Sequence, residues 1–474
     1  MNAQTFISVV NGFVMAPAGH GKTHTIVECL VHAEGNQLIL THTHAGIASI
    51  REKIKKVNPD LNNFNVETIT GYAQKYVLAY YRGDDIPDPS ESDRYYHFIV
   101  QKAAQLFSLT ILKKVIASSY TGVFVDEYQD CSVVQHVMIM SLAKILPTYV
   151  LGDPLQGIFN FKGEPMVDLE NEDQMASFVH NKEILGIPWR WKNKNENLGD
   201  TLNKIRDTII RKQPIDLRLH PSLGYVPISS AGDIYNPGTE YGKLFATYLK
   251  MENLLIIHPE STSINPRKKI VSAYKTPISL IESIDDKDFY RFARLFDNSK
   301  PDDLEKAIAT VSLQLFSKTV IHQWFNDDGL KSKKSAEDKI ITSAIRAQLS
   351  VATTTGTKTA IAEVFNLISN LKDVRCYRKE LFYTLCNALR TADENQRTVL
   401  ESMEGLRNVV RKVGRKNYRR CIGTTLLTKG LEFDNVIILN AQSFDCPKNL
   451  YVALTRASKK LIVFSTTPIL NPYS

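Results

Sequence analysis

Ala16-Pro17-Ala18-Gly19-His20-Gly21-Lys22-Thr23 is the stretch that decides the fold. It follows the apolar run Phe13-Val14-Met15, which predicts a strand. It precedes Thr25-Ile26-Val27-Glu28-Cys29-Leu30, which predicts a helix. Strand, glycine-bearing loop and helix in that order make a phosphate-binding context. Gly19 and Gly21 let the backbone turn its N–H groups toward a polyphosphate, and the helix N-terminus adds positive potential. In such a loop Lys22 pairs with the β- and γ-phosphates, and the Thr23 hydroxyl holds Mg²⁺.

Two later strands end in chemistry that suits the same ligand. Val123-Phe124-Val125 runs into Asp126-Glu127-Tyr128-Gln129-Asp130. Acidic residues at the C-terminal end of a buried strand are where a nucleotide fold puts its metal ligand. Asp126 is then the Mg²⁺ ligand, and Glu127 orients and deprotonates an attacking water. The plain alternative is a charged turn capping a strand. Thr148-Tyr149-Val150-Leu151 runs into Gly152-Asp153-Pro154-Leu155-Gln156, followed by Gly157-Ile158-Phe159-Asn160-Phe161-Lys162-Gly163. Gln156 at this strand end can touch the γ-phosphate or the lytic water. Phe159 and Phe161, with Lys162 beside them, suit stacking on bases while a cation meets the backbone. Ordinary core aromatics would show the same spacing.

Composition narrows the class. With 474 residues, several compact units are expected. Hydrophobic residues make up 43% and charged residues 23%, a globular balance. No apolar run approaches the roughly 20 residues of a membrane span, and no basic n-region suggests a secretory signal. Cys29, Cys131, Cys376, Cys386, Cys421 and Cys446 are scattered without a C-x-x-C pair, which fits a reducing cytoplasm rather than a zinc ribbon or disulfide framework. A net charge of +8 suits a polyanionic partner only mildly over this length. His42 and His44, with His20, His24 and His32 nearby, lack acidic or cysteine partners at ligand spacing and read as polar loop residues.

The loop A-P-A-G-H-G-K-T, then V-D-E-Y-Q-D, then G-D-P-L-Q-G-I-F-N-F-K-G, resembles superfamily 1 helicases of the UvrD/Rep/PcrA type. Leu38 to Ala45 resembles motif Ia, Val66 to Ala73 motif Ib, and Ile187-Pro188-Trp189-Arg190-Trp191 motif IV. Thr424 to Phe433 resembles motif V, and Leu450 to Ala457 motif VI, so the ordered motifs span residues 16 to 457. The resemblance implies an α/β fold of two RecA-like P-loop domains, each with a mainly helical insertion, and ATP with Mg²⁺ held between them.

By the same resemblance the first domain supplies Ala16 to Thr23, Asp126, Glu127 and Gln156, and the second supplies Arg190 and Arg456 to the γ-phosphate. Surface salt bridges are the plain alternative for the two arginines. Trp189 matches the aromatic that stacks on adenine, and Glu432 matches an acid near the sugar and phosphates. Gln4 is the one glutamine ahead of the loop that could read adenine. Thr41, Thr43, Thr68, Thr70 and Thr425 are candidates for strand contacts, with Phe159, Phe161 and Lys162. Lys162 stands where the family has arginine, and Leu426 where relatives often have histidine.

The expected division is a first core at 1–72 and 118–185, a short insertion at 73–117, a second core at 186–295 and 413–474, and a helical insertion at 296–412. Leu304, Ile308, Val311 and Leu315 show helical spacing in the last of these. The basic run Arg407, Arg411, Lys412, Arg415, Lys416, Arg419 and Arg420 reads either as a solvated face or as a phosphate-contacting one. The resemblance implies a Mg²⁺-ATP-driven motor on single-stranded DNA, with 3′ to 5′ polarity. The alternative is a DNA-stimulated ATPase that senses DNA ends and assists a partner nuclease. In scale the chain is similar to helicase-like subunits of Gabija anti-phage systems.

Overall fold

The computed structural model describes residues 1–88, 92–159, 164–283, 287–326, 329–413 and 419–473, excepting the side chains of residues 45, 92 and 411–413. Six strands build the first sheet: β1 Asn11–Met15, β2 Gln37–Thr41, β3 Phe64–Thr68, β4 Gly122–Val125, β5 Thr148–Gly152 and β6 Lys182–Ile184. They lie in the order β3-β2-β4-β5-β1-β6, every pair parallel. Runs such as Leu38-Ile39-Leu40 and Val123-Phe124-Val125 are apolar on both faces, as a sheet covered by helices on both sides requires. The period of two divides them. Val14, Ile39, Phe124 and Leu151 face the helices Lys22–His32 and His44–Val57 through Ile26, Leu30, Ile50 and Ile54. Phe13, Leu38, Leu40, Val123 and Val150 face the opposite way.

That opposite face is covered in part by the segment expected as an insertion. Helices Ile69–Tyr80, Ser92–Leu106 and Thr110–Ser119 place Tyr72, Tyr76, Ile99, Phe107 and Ile116 in one hydrophobic cluster with β2, β4 and β5. Their apolar stripes are spent on the sheet, so these three helices pack as a layer of the first body.

The second body continues the chain with β7 Ile215–Asp216, β8 Gly224–Pro227, β9 Leu254–Ile257 and β10 Ser279–Leu280. A hairpin of β11 Phe325–Asn326 and β12 Gly329–Leu330 follows, then β13 Arg420–Gly423, β14 Phe433–Ile438, β15 Ala457–Ser465 and β16 Ile469–Leu470. The sheet order is β10-β13-β9-β14-β15-β8, again parallel throughout, while β7 and β16 pair antiparallel beside it. Both sheets are doubly covered and parallel, the α/β architecture expected of two RecA-like domains.

A helical body with its own hydrophobic cluster, from Phe289 to Met403, interrupts the second sheet between β10 and β13. Buried arginines fasten it. Arg378 Nε donates to Glu282 Oε2 at 2.6 Å beside β10 and also pairs with Asp288. Arg407 Nη1 donates to Glu380 at 2.9 Å and Nη2 to the Ser283 carbonyl at 3.1 Å, with its guanidinium 3.9 Å from the Phe289 ring centroid.

The basic run is corrected here in part. Arg407 is fully buried in these contacts, while Arg419 and Arg420 pair with Glu252 and Arg420 Nε donates to the Met251 carbonyl at 3.0 Å. The Arg407 charge is consumed inside the fold, whereas Arg419 pairs with Glu252 on the solvated surface at the base of β9, where its side chain is 70% exposed. The side chains of Arg411, Lys412, Arg415 and Lys416 lie outside those described. Arg407→Met should therefore lower the unfolding free energy by about 3–5 kcal/mol, the cost of leaving a buried partner charge uncompensated. Chemical denaturation measures this, and single-strand affinity should stay near that of the unaltered chain.

Candidate nucleotide site between the two sheets

In a parallel sheet the strands deliver their C-terminal loops to one edge. Here that edge gathers the loop 16–21 after β1, Asp126 and Glu127 after β4, and Asp153 and Gln156 after β5. Gly19 (φ +76°) and Gly21 (φ +88°) take the left-handed conformation that only glycine adopts without strain. A Cβ on Gly19 would lie 2.6 Å from the Trp191 ring, and one on Gly21 would lie 3.0 Å from Trp189. The loop therefore presses against the 189–191 segment at its two glycines. Lys22 opens the helix Lys22–His32 with Thr23 in its first turn, and buried His20 pairs through Nδ1 with the Ala18 carbonyl at 2.9 Å.

Lys22 Nζ sits 2.6 Å from Glu127 Oε2 and 3.9 Å from Asp126 Oδ1. Burial alone would lower this ammonium, but Glu127 and Asp126 outweigh it and raise its pKa. Burial lifts Asp126 to about 6 against the pull of Lys22. Glu127 goes the other way: burial opposes ionisation, yet Lys22 and Lys429 hold it far below the carboxylate range. The Glu127 backbone is left-handed at φ +56°, a conformation costing a non-glycine residue about 1 kcal/mol, and it starts the turn Tyr128–Asp130. Such strain is concentrated at functional positions. The donor set fits a magnesium polyphosphate: a buried carboxylate and a hydroxyl for the cation, and glycine amides with a lysine for the anion.

From the second body come Arg190, Arg456 and Glu432. The Arg190 N–H donates to the Gly19 carbonyl at 2.9 Å, and its Nη2 donates to Glu432 Oε1 at 2.5 Å. Its buried Nε has no hydrogen-bond partner among the described residues. Arg456 is held by the Val452 carbonyl at 3.0 Å and the Leu431 carbonyl at 3.3 Å. Burial and the like charge of Arg190 lower it to about 10, whereas Arg190 pulls Glu432 down to about 2. Two neighbouring guanidiniums with one carboxylate between them make a site that favours an added anion. Trp189 is half exposed, with Lys192 Nζ 4.3 Å from its ring centroid.

Two further buried connections join the bodies. Ala18 N–H donates to the Tyr451 hydroxyl at 3.2 Å, Arg206 Nη1 donates to the same oxygen at 3.1 Å, and Arg206 pairs with Asp153 Oδ1 at 2.8 Å. Asp153 Oδ2 in turn accepts from Gln156 Nε2 at 2.9 Å. The phosphate loop and Gln156 are thus tied to one arginine on the helix Glu196–Ile210. Arg206, Asp153 and Tyr451 were not among the expected site residues. The available signal was Arg206 itself, a charge set among the buried Leu198, Leu202, Ile205 and Ile209 of its helix. The second connection is Lys429, whose Nζ donates to Asp130 and, at 2.6 Å, to the Gln156 carbonyl.

Other expected residues scatter more widely. Thr41 closes β2, and Thr43 and Thr68 cap the helices that follow β2 and β3, accepting from Gly46 and Gly71 N–H at 3.0 Å each. Capping uses an oxygen lone pair and leaves each hydroxyl proton as a donor. Thr70 lies in the first turn of the second of these helices, and Thr425 is buried at the start of the short helix after β13. Phe159 lies under Lys429 Nζ, 4.8 Å from its ring centroid. Phe161 and Lys162 lie outside the described residues. Gln4 is not brought to the site: its helix Ala3–Phe6 packs through Phe6 against Gly12 and Tyr149, at the strand ends opposite the loop.

The UvrD/REP helicase N-terminal domain model matches residues 95–175, and the viral superfamily 1 RNA helicase core domain model matches residues 342–465. No curated protein matches the chain significantly by sequence. Among solved structures it is similar to arterivirus nonstructural protein 10 (helicase) in complex with DNA, at 14% identity over 54% of this chain and 49% of that one, TM-score 0.26. It is also similar to Pif1 helicase from Candida albicans, at 12% identity over 52% of this chain and 53% of that one, TM-score 0.28. The match spans about half the length of each of those proteins. The two matched stretches, one in the first body and one reaching from the helical body through the second sheet, are both similar to superfamily 1 helicase domains. Among the described residues no helix is long and apolar enough to cross a membrane.

Arg206→Met should cost about 3–5 kcal/mol of stability by stranding Asp153 in the interior. The paired variant Arg206→Met with Asp153→Asn should recover much of that loss. Denaturant midpoints of the single and double variants check the coupling.

Proposed function

We propose that the chain is a Mg²⁺-ATP-dependent translocase on single-stranded DNA of the UvrD type, moving 3′ to 5′. The observation that supports this most is the meeting of Lys22, Asp126, Glu127 and Gln156 with Arg190, Arg456 and Glu432 across one cleft. Thr23 and Asp126 would hold Mg²⁺, which would neutralise charge developing on the transferring phosphoryl group. Lys22 and the glycine amides bind the polyphosphate, and Trp189 stacks on the base. Glu127, held ionised, takes a proton from the attacking water, with Gln156 beside it. Arg190 and Arg456 stabilise charge at the γ-phosphate only while the bodies are closed, which links hydrolysis to domain movement. Residues 1–72 and 118–185 would form the first motor core and 186–295 with 413–474 the second, with 73–117 and 296–412 as insertions. The strand would run over the edge carrying Thr41, Thr43, Thr68, Thr70 and Thr425, with Phe159, Phe161 and Lys162. The free cysteines fit a cytoplasmic setting.

One feature favours the second reading, a DNA-stimulated ATPase that senses ends and serves a partner nuclease. The helices of 73–117 are committed to the first sheet's hydrophobic cluster, leaving little of that insertion to act on a duplex ahead.

Glu127→Gln should retain nucleotide and lose turnover, while Lys22→Ala should weaken binding itself. Steady-state ATPase with a nucleotide titration checks both, and normal turnover in Glu127→Gln would remove Glu127 from its role. Unwinding of a 3′-tailed duplex by the purified chain should be feeble and improve with a partner. Processive unwinding by the chain alone would exclude the accessory reading.

A further inference from the structure

Lys429 caps the short helix Thr425–Thr428 of the second body and reaches into the first. Its side chain is 7% exposed and that of its partner Asp130 is 2% exposed, so the pair is dry. Nζ donates to Asp130 Oδ1 at 2.6 Å and to the Gln156 carbonyl at 2.6 Å, and lies 4.8 Å from the Phe159 ring centroid. One ammonium therefore touches the acidic turn, the glutamine segment and the start of the aromatic loop.

The acidic turn is stiff. Asp130 N–H donates to the Glu127 carbonyl at 2.9 Å, closing the turn whose first residue carries the left-handed φ. Between them Gln129 donates through Nε2 to the Glu127 carboxylate, while its Oε1 accepts from Asp153 N–H at 3.1 Å. Asp130 and the Glu127 carboxylate are thus linked through one short turn and the Gln129 side chain. On the other side, Lys429 ends the helix that carries Thr425 and lies over Phe159, both expected to touch the strand.

We propose that Lys429 is a positioning residue that transmits strand occupancy to the hydrolytic carboxylate: a strand held by Thr425 and Phe159 keeps Lys429 in place against Asp130 and Gln156, and the turn then sets Glu127. This rests on the strand-stimulated ATPase proposed above. Lys429 touches neither nucleotide nor strand in this scheme, and an ammonium buried away from water keeps its place only through these acceptors.

The test uses the full chain, steady-state ATPase with and without an oligodeoxythymidylate, and the affinity of that oligonucleotide by fluorescence anisotropy. In Lys429→Met stimulated turnover should fall by about tenfold more than basal turnover, in kcat rather than in KM for ATP. Oligonucleotide affinity should change by less than about threefold, since no phosphate contact is removed. Lys429→Arg, which keeps the charge, should retain part of the stimulation. The double variant Asp130→Asn with Lys429→Met leaves no stranded buried charge, so it should fold and show the same loss. Stimulation preserved in Lys429→Met overturns the proposal. So does an equal fall of basal and stimulated rates, which marks a purely structural cation, or a matching fall in strand affinity, which marks a direct contact. An unaltered chain that oligonucleotide does not stimulate overturns the strand-stimulated reading, and this proposal with it.

Discussion

Charge buried between the two sheets is the constraint on which the rest depends. Lys429 with Asp130 and Arg206 with Asp153 are removed from water at the interface of the two bodies. An ion taken into such an environment costs several kcal/mol unless a partner and further hydrogen bonds meet it. Each cation here is met by a carboxylate of the opposite body and by an additional oxygen, the Gln156 carbonyl for Lys429 and the Tyr451 hydroxyl of its own body for Arg206. The bodies are therefore held in a particular register, where apolar contact alone would permit sliding.

That register explains how the nucleotide site is assembled. Gly19 and Gly21 lack side chains where the 189–191 segment presses on them, and Trp191 is anchored to the second sheet by its Nε1 donating to the Ala457 carbonyl at 2.8 Å. The phosphate loop thus feels the position of the second sheet directly. Glu127 turned toward Lys22, and Arg190 turned toward Glu432, are pairs a polyphosphate would compete for, since both cations have stronger partners in phosphate oxygens. Binding would then exchange ion pairs rather than create charge in a dry cleft.

The helical body plays a different part. Its arginines Arg378 and Arg407 turn inward and fasten it to the end of β10. Arginine's planar fork allows this, serving two or three acceptors at once where a lysine would serve them less rigidly. A run of positive charge in a sequence is consequently ambiguous, because the same residue can face a polyanion or hold a domain boundary together.

Much was legible in the sequence because it depends on local rules. Glycines in a loop after an apolar strand, and acids or a glutamine after two others, marked the strand ends of one phosphate-binding sheet, while the second sheet was implied only by the resemblance of the ordered motifs. Period-two burial then followed from the pleat. Arg206, Asp153 and Tyr451 were not legible as one network, since they come from separate parts of the chain and meet only when the sheets face each other. The left-handed Glu127 backbone, the commitment of helices 69–119 to the first sheet, and the inward turn of Arg407 were likewise settled by packing. Gln4 shows the limit from the other side. Sequence proximity to the phosphate loop suggested a role, yet a strand of five residues separates the two ends of β1 and carries Gln4 away from the edge where the loop lies. Sequence by itself determined which chemical groups the strand ends present. Only the tertiary structure decided which of them meet, because burial and pairing of charge are properties of the space between elements.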